Sequence, residues 1–419
     1  MGSPVGRPVG RPVGRIDARW QQSVSRRRAI AKLAGALAGS PLLQSDLAAQ
    51  TDPRPFNDHK RLPGLNEMIV SFDFEPVCFA NVSQVTYDYT AHGDGSEFTV
   101  RRNRQAFDWV DLVPGKPIDP KTIDLSTEIL GTKMSYPIMV APSAAQVPLH
   151  PDGEIGMHRG ATAAANTPTI LSHVSSLPVD KVAGAATGSL WAQFYPQQDR
   201  TVGRKILDEA QAAGCTAIVV TVDQQASYYE RSEHNRNLGG SARRPSARGA
   251  AAAVGVGGPG RYRVSTTRLW YTWSYLDEIR EVVKVPLIVK GILTSEDARL
   301  CIEHGMDGII VSNHGGRSMD YGPSTLEVLP EIVAAVNGRI PVITDSGYRR
   351  GTDILKALAL GARAVLLGRT PRWALGAFGA AGVQRLLEIM QRELVVAAAA
   401  AGRGTLASID SKIVTTNFP

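Results

Sequence analysis

The sequence predicts an α/β fold: a (β/α)8 TIM barrel with an N-terminal extension and a flexible insertion between strands 4 and 5. Three observations support this prediction. Eight short aliphatic runs recur between residues 137 and 369, amphipathic helical segments separate most of them, and polar residues stand at the C-terminal ends of the runs. The length of 419 residues suits one such barrel with additions.

The aliphatic runs are continuous rather than alternating, as expected of strands that helices cover on both faces of a parallel sheet. In chain order they are PIMVAPSA (137–144), PTILS (168–172), LWAQFY (190–195), AIVVTVD (217–223), PLIVKGI (286–292), GIIVSNHGG (308–316), PVITDSG (341–347) and AVLLGR (364–369). Helical periodicity and a final glycine mark the intervening segments 199–214, 295–305 and 351–361. The alternation predicts eight βα units.

The polar and special residues of the runs stand at the C-terminal ends, which in a parallel barrel all lie at one mouth. They are Pro142, Ser143, Ser172, Gln193, Tyr195, Thr221, Asp223, Lys290, His314, Arg317, Asp345, Gly368 and Arg369. Barrel enzymes build their active sites on this face, whereas chance would scatter polar residues along the strands. The segment SNHGGRSMD (312–320) should therefore bring His314 to the same mouth as Lys290 and Asp223.

The last two runs predict a phosphate pocket. TDSGYRRGTD (344–353) and LLGRT (366–370) place glycines and arginines at the ends of strands seven and eight. Glycine lets backbone N–H groups approach an anion, and the following helix N-terminus favours negative charge. Arg349 and Arg369 would add charge-assisted hydrogen bonds. Glycines at turns are commonly only turns, but both loops and both arginines together favour a phosphate.

The charge of +7 does not indicate a nucleic-acid binder. Residues 1–49 hold eight Lys or Arg against two Asp, so this segment carries +6 and leaves +1 for the rest of the chain. The three cysteines, Cys78, Cys215 and Cys301, are widely spaced in apolar contexts. They predict buried core thiols rather than disulfides or a metal site.

The basic leader (1–49) is predicted to be disordered and to precede the barrel domain (50–419). Its repeat PVGRPVGRPVGR (4–15) has Pro and Gly in every copy, and the true start codon stays open. SRRRAIAKLAGALAGSPLLQSDLAAQ (25–50) resembles a twin-arginine export signal and is too short and weakly apolar to form a transmembrane helix. If the signal is used, the protein is exported to the periplasm or outside the cell. If the segment is only a basic tail, the protein is cytoplasmic.

Several motifs resemble those of the FMN-dependent α-hydroxy acid oxidases and dehydrogenases, the family of glycolate oxidase, lactate dehydrogenase and mandelate dehydrogenase. The resemblance spans about residues 64–415. Its most specific signatures are SNHGGRSMDYGPSTLEVLPEI (312–332) and DSGYRRGTDILKALALGA (345–362). VTYDYTAHG (85–93), IMVAPSA (138–144), TVD (221–223) and LIVKGI (287–292) follow in the family order. The resemblance implies FMN as cofactor, a small-molecule substrate, no nucleic acid and a homo-oligomer, by analogy a tetramer.

The resemblance also implies roles for individual residues. His314 would be the base that accepts a proton from the substrate, and Asp223 would orient the ring and raise its pKa. Lys290 would stabilise the negative charge of the reduced flavin. The substrate carboxylate and hydroxyl would be bound by Arg317, Tyr89 and Tyr195, with Tyr89 also counted among the catalytic residues. The residues implied to hold FMN are Pro142, Ser143, Ala144, Ser172, Gln193, Thr221, Lys290, Ser312, Asp345, Gly347, Arg349, Gly368 and Arg369.

One family feature is missing. The family carries a second carboxylate-binding arginine after the TVD motif, but here Tyr229 or Glu230 aligns with it and Arg231 is displaced. Arg231 could reach in from a rearranged loop, Tyr228 or Tyr229 could replace the lost bonds, or the substrate could be bulky or atypical. Glycolate-type enzymes place a tryptophan near Val174, so a roomier pocket is expected here.

The insertion between strands 4 and 5, at about 239–264, is rich in Gly and Ala and lacks a strongly apolar stretch. It is interpreted as a disordered lid rather than as a membrane anchor.

The leading function is FMN-dependent oxidation of an L-2-hydroxy acid to a 2-oxo acid, with oxygen, a quinone or another protein as the electron acceptor. Two alternatives stay open. The first is a flavin-binding protein that has lost turnover, which the missing arginine favours. The second is a different reaction on the same barrel, such as decarboxylating monooxygenation, isomerisation or modification of a larger molecule. Intact His314, Asp223, Lys290 and Arg317 favour the oxidation.

Overall fold

The computed structural model describes residues 61–224, the backbone of 226–227 and 263–264, and residues 272–419. The chain divides into two units, Met1–Leu62 and Pro63–Pro419, and every element below belongs to the second. The predicted leader, most of the predicted insertion and the segment that contains Tyr228, Tyr229, Glu230 and Arg231 lie outside the described residues. The export signal and the replacement for the second arginine therefore stay predictions.

Eight parallel strands form a closed barrel, which confirms the predicted fold. Numbered in chain order with the other strands, they are β4 (Ile138–Val140), β5 (Thr169–Leu171), β6 (Leu190–Phe194), β7 (Ile218–Thr221), β10 (Leu287–Ile292), β11 (Gly308–Val311), β12 (Val342–Thr344) and β13 (Ala364–Leu367). Each strand pairs with the next one in this order, and β13 closes the ring on β4 with Val365 opposite Ile138. Every strand lies within one of the eight aliphatic runs.

Helices cover the outside of the barrel. In chain order they are α1 (Phe74–Asn81), α2 (Gln84–Ala91), α3 (Phe98–Gln105), α4 (Gly153–Ala163), α5 (Val179–Ala183), α6 (Arg200–Ala212), α7 (Trp273–Val282), α8 (Ser295–Glu303), α9 (Thr325–Val336), α10 (Gly351–Ala359) and α11 (Arg369–Ala400). The three predicted helical segments contain α6, α8 and α10. Gly214, Gly305 and Gly361, the predicted end residues, have φ values of 86°, 68° and 102°, the left-handed conformation that suits glycine after a helix.

Short strands outside the barrel form three two-stranded sheets. They pair β1 (Val110–Leu112) with β14 (Val414–Thr416), β2 (Thr127–Ile129) with β3 (Thr132–Met134), and β8 (Ala226–Ser227) with β9 (Arg263–Val264). The β8–β9 pair corrects one detail of the predicted lid. Its last two residues are strand residues, because Ser227 pairs with Arg263 and Ala226 with Val264.

Two hydrophobic clusters explain why the strands are apolar on both faces. Inside the barrel, Met139, Trp191 and Ile310 are buried with other inward-facing side chains. Outside, neighbours such as Ile309 and Val365 pack against the helices. Alternate residues of one strand thus enter different cores, so that a parallel barrel strand has no polar face.

The three cysteines are buried free thiols, as predicted. Burial raises the pKa of each to about 12, so they are inert core residues at neutral pH. No helix in the described part of the chain is both long and apolar enough to cross a membrane.

Candidate active site

Ionisable side chains from four neighbouring strands meet at the C-terminal mouth of the barrel. Lys290 lies within β10, while Asp223, His314 and Asp345 follow β7, β11 and β12. These four are among the residues that the sequence placed at one mouth, and the contacts below join them into one network.

His314 is held by a carboxylate and by its own backbone. Its Nδ1 lies 2.8 Å from Oδ1 of Asp223, and its backbone N–H donates to Oγ of Ser312 at 3.1 Å. The residue has a φ of 58°, which is uncommon for a side chain other than glycine. Left-handed backbone at a non-glycine residue is characteristic of functional sites, where surrounding contacts enforce it.

The two glycines after His314 have a steric reason. Gly315 and Gly316 have φ values of 69° and 74°. A Cβ on Gly316 would lie 2.7 Å from a methyl group of Val100 and 2.8 Å from the Val100 backbone nitrogen. The loop therefore passes directly against α3, and only glycine fits there.

Lys290 is almost fully buried, with 3% of the residue exposed. Its Nζ donates to Oγ of Ser312 at 2.7 Å and lies 3.3 Å from Oδ2 of Asp345. The remaining oxygen of Asp345 accepts a hydrogen bond from the Ser346 hydroxyl at 2.7 Å. A buried ammonium is thus compensated by a buried carboxylate, as such a charge requires.

The electrostatic balance keeps His314 neutral. Burial lowers its pKa, Asp223 raises it and Lys290 lowers it again, and the net result is below the ordinary 6.5. Asp223 raises the pKa as predicted, but burial and Lys290 outweigh this contribution. For Asp223, burial raises the pKa but the charges of His314 and Lys290 outweigh it and lower the pKa. For Lys290, burial lowers the pKa, but Asp345 and then Asp223 outweigh it and raise the pKa.

Gly291 brings Asp223 close to Lys290. The pairing register of β10 with β11 shifts between Lys290 and Ile292, so Gly291 forms a bulge, and its φ is 117°. A Cβ at this position would lie 2.6 Å from Cβ of Asp223. The bulge therefore lets the backbone approach the carboxylate that holds His314.

Gly291→Ala is expected to lose stability and activity together. The left-handed backbone alone costs an L-residue about 1–2 kcal/mol, and the collision with Asp223 adds about 1–3 kcal/mol of overpacking. Gly214→Ala is the matched control, because Gly214 has a φ of 86° but nothing within 4 Å of the added Cβ. Chemical denaturation and turnover of both variants would check this. Equal losses of stability, with full activity in both, would contradict the close approach.

The predicted substrate residues lie at the same mouth. Nη1 of Arg317 donates to the backbone oxygens of Tyr89 at 2.8 Å and His92 at 2.6 Å. Its guanidinium also lies 4.9 Å from the centre of the Tyr89 ring. The hydroxyl of Tyr195 donates to Oε1 of Gln224 at 2.9 Å. Arg317 therefore joins the extension before the barrel to the loop that carries His314.

Two buried polar atoms at the strand ends fit a heterocyclic ligand. Within the described residues, Nε2 of Gln193 and Oγ1 of Thr221 are buried without a hydrogen-bond partner. Oε1 of Gln193 is already bound by the backbone N–H of His173 at 3.0 Å and approached by the Ser172 hydroxyl at 3.4 Å. Orphaned buried donors and acceptors are uncommon and indicate a missing partner. A flavin ring, with alternating carbonyl and N–H groups, matches this donor set.

The predicted phosphate arginines are half-buried, and no carboxylate of the described residues pairs with them. Nη1 of Arg349 donates to the Tyr348 oxygen at 2.9 Å, and its guanidinium lies 4.8 Å from the centre of the Trp373 ring. Arg369 donates from Nε to the Thr90 oxygen at 2.9 Å. Burial first and neighbouring arginines next lower the pKa of Arg349 to about 10 and of Arg369 to about 9. Among the described residues neither forms an ion pair, so both fit an incoming phosphate.

The other predicted cofactor residues lie around these two groups. Ser143 donates to the Ala141 oxygen at 3.3 Å, and the Ala144 oxygen accepts from Arg372. Pro142 lies two residues after the end of β4, and Gly368 directly precedes α11. Gly347 has a φ of 93°, and a Cβ there would lie 2.4 Å from the Asn103 oxygen.

Sequence reasoning missed a buried pair of amides that supports the His314 loop. Nδ2 of Asn103 donates to Oδ1 of Asn313 at 2.9 Å, and Nδ2 of Asn313 donates to Oδ1 of Asn103 at 2.8 Å. Oδ1 of Asn313 also accepts the backbone N–H of Gly316 at 3.0 Å. Asn313 stood inside the quoted motif and could have been singled out. Asn103 lies in the arginine-rich α3, where nothing local marks it.

Comparison with known proteins identifies the family. The family model for FMN-dependent dehydrogenases matches residues 78–416. Glycolate oxidase 3 of Arabidopsis thaliana is 37% identical over 352 residues, covering 83% of this chain and 95% of the relative. L-lactate oxidase of Nostoc sp. is 36% identical over 368 residues, covering 84% and 100%.

A solved structure of mandelate oxidase with (S)-2-phenylpropionate superimposes with a TM-score of 0.74 at 33% identity, covering 83% of this chain and 98% of that one. These matches confirm the predicted resemblance, its oxidoreductase class and its cofactor. The chain therefore belongs to the family of FMN-dependent dehydrogenases.

Proposed function

We propose that the protein oxidises a 2-hydroxy acid to a 2-oxo acid with FMN. The observation that carries this proposal is the half-buried His314–Asp223 pair, with Nδ1 and Oδ1 2.8 Å apart, beside Lys290 and Arg317. One mouth thus combines a neutral base, a buried cation and a guanidinium that can bind a carboxylate. The names of the relatives support the same class, since they act on glycolate, L-lactate and mandelate.

The residues at the mouth divide between two ends of an FMN molecule. Gln193 Nε2 and Thr221 Oγ1 would bond the ring, and Asp345 would accept bonds from the ribityl hydroxyls. The guanidiniums of Arg349 and Arg369 would hold the phosphate. When bound, FMN accepts the two electrons that the hydroxy acid loses.

His314 would accept the proton that the substrate releases during oxidation. The depressed pKa keeps the ring neutral at pH 7, which a base requires. Because Asp223 is bonded to Nδ1, the other ring nitrogen is left to face the substrate. Asp223 stays ionised and stabilises the imidazolium once it forms. Arg317, Tyr89 and Tyr195 would fix the substrate carboxylate and hydroxyl, so that the proton points at His314.

Anaerobic mixing with a panel of 2-hydroxy acids tests the proposal. Glycolate, L-lactate and L-mandelate are added separately to the FMN-loaded protein, and the flavin absorbance is followed. Bleaching with at least one acid is the expected result, and its 2-oxo acid should accumulate in equal amount. The (R) acids serve as controls. Failure of every acid to bleach the flavin would favour an inactive flavin protein or a different reaction.

We propose oxygen as the electron acceptor, because the named relatives are oxidases. Admitting air to the bleached protein should restore the yellow flavin and produce hydrogen peroxide. Slow recovery in air with fast recovery after addition of a quinone would assign the acceptor to that class instead.

We also propose that the substrate is bulkier than glycolate. The proposal rests on Val174, near which glycolate-type enzymes place a tryptophan, so that a roomier pocket is expected here. L-mandelate should bleach the flavin faster than glycolate in the panel. Faster reduction by glycolate would remove this refinement and leave the hydroxy acid oxidation intact.

A further inference from the structure

A second guanidinium lies over the Tyr89 ring. The Arg317 guanidinium lies 4.9 Å and that of Arg372 5.4 Å from the ring centre. Arg372 belongs to the first turn of α11, directly after β13, and only 5% of the residue is exposed. It was not among the residues predicted from the sequence.

The partners of Arg372 are neutral. Its Nε donates to Oγ1 of Thr90 at 3.0 Å, and its Nη1 donates to the backbone oxygen of Ala144. Within the described residues no carboxylate lies at ion-pair distance from it. Burying a guanidinium without an anion is unfavourable, so a buried arginine of this kind indicates a negative ligand that completes the site.

Arg372 lies beside Arg317 at the Tyr89 ring. Burial is the main cause that lowers its pKa to about 10, while Tyr89 raises the pKa and Arg317 lowers it. The pKa of Arg369, in contrast, is lowered by both Arg317 and Arg349. Arg369 therefore lies near both Arg317 and the predicted phosphate arginine Arg349, whereas Arg372 shares the Tyr89 ring with Arg317.

We propose that Arg372 supplies the second positive charge for the substrate carboxylate and positions the Tyr89 ring for it. The inference rests on the proposed function, because the carboxylate is that of the 2-hydroxy acid. Thr90 and Ala144 orient the guanidinium, which shares the Tyr89 ring with Arg317, the other cation. Arg372 thus replaces the second family arginine, whose position is occupied by Tyr229 or Glu230 in this sequence.

Binding of a carboxylate that cannot be oxidised tests this without turnover. Benzoate and the neutral benzamide are titrated into the FMN-loaded protein, and the shift of the flavin spectrum gives each Kd. Arg372→Met should raise the Kd of benzoate about tenfold or more, the effect of losing one charge-assisted bond. The Kd of benzamide should change much less, and Arg372→Lys should recover part of the benzoate affinity.

Arg339→Met is the matched control. Like Arg372, Arg339 bonds only to neutral oxygens, those of the Val336 and Ala335 carbonyls, but it precedes β12 and so lies at the opposite end of the barrel. Its Kd for benzoate and its FMN content should equal those of the wild type.

Three results would overturn the inference: a benzoate Kd unchanged in a fully loaded Arg372→Met, an equal weakening of benzoate and benzamide, or no binding of benzoate to the wild type. If Arg372→Met does not fold, Arg372→Lys and Arg372→Gln are compared in the same way. The proposed function is judged separately by the hydroxy acid panel. If Arg372→Met weakened the binding of benzoate but not of benzamide, while no acid bleached the wild-type flavin, the proposed oxidation would be overturned. The proposed carboxylate site would be retained.

Discussion

His314→Asn is expected to slow flavin reduction by a 2-hydroxy acid about 10²–10⁴-fold, the usual contribution of a positioned general base. The amide cannot accept the proton, yet it is close to imidazole in size and can still bond to Asp223. Binding of the cofactor should therefore be retained. Stopped-flow reduction under anaerobic conditions measures the rate, and the flavin absorbance of the purified variant measures the FMN content.

The size of this effect follows from the burial and the charges that set the protonation state of the His314 ring. Burial and the Lys290 ammonium oppose protonation, while the Asp223 carboxylate favours it. The ring is therefore neutral before the reaction, and a carboxylate is already in place for the cation that forms. The positive φ of 58° shows that the loop holds this geometry against the backbone preference of the residue.

His304→Asn is the control for the loss of a His–Asp pair as such. Nδ1 of His304 lies 2.7 Å from Oδ1 of Asp277, nearly the same contact, but His304 follows α8 and precedes β11, away from the mouth. This variant should reduce its flavin at the wild-type rate. A His314→Asn protein with full FMN and a rate within a factor of about three of the wild type would assign the base elsewhere.

The fold was predictable because its signal is local and repeated. A barrel strand contributes to two cores at once, so runs such as 217–223 are apolar throughout and differ from the amphipathic helices between them. Gly214 and Gly361 end helices in the left-handed conformation, and a chemical preference of that kind is visible in a single residue. The location of the site at one mouth was predictable for the same reason, since all C-terminal strand ends lie at one end of a parallel barrel.

The missed residues depend on contacts between distant parts of the chain. Asn103 and Asn313 are 210 positions apart, and Arg372 reaches Thr90 across 282 positions. No periodicity links such pairs. The net lowering of the His314 pKa was not predicted for a related reason: Asp223 was assigned from a motif and does raise the pKa, but burial and the position of Lys290 are properties of the folded site.

Lys290→Met is expected to change both the rate of reduction and its pH dependence. Methionine fills the space of the lysine stem but removes the charge that lies 3.3 Å from Asp345. Losing a preorganised charge at a site where negative charge develops slows a reaction about 10²–10³-fold. Reduction by the best acid of the panel should fall by this amount.

The pH dependence follows from the sign of the Lys290 contribution. Lys290 lowers the pKa of His314, so its removal raises that pKa. Protonated imidazole cannot accept a proton, and the rate therefore falls as the pH drops through the pKa of His314. The acid limb of kcat/KM should accordingly move to higher pH in Lys290→Met than in the wild type.

Lys356→Met separates this effect from the loss of a lysine whose pKa is affected by burial. Burial also lowers the pKa of Lys356, but this lysine belongs to the outer helix α10. Its Nζ donates to the Phe107 oxygen at 2.8 Å. Its acid limb should coincide with that of the wild type. If Lys290→Met kept the wild-type acid limb, or moved it to lower pH, the ammonium would not be acting on His314, and the neutral state of the ring would have to come from burial alone.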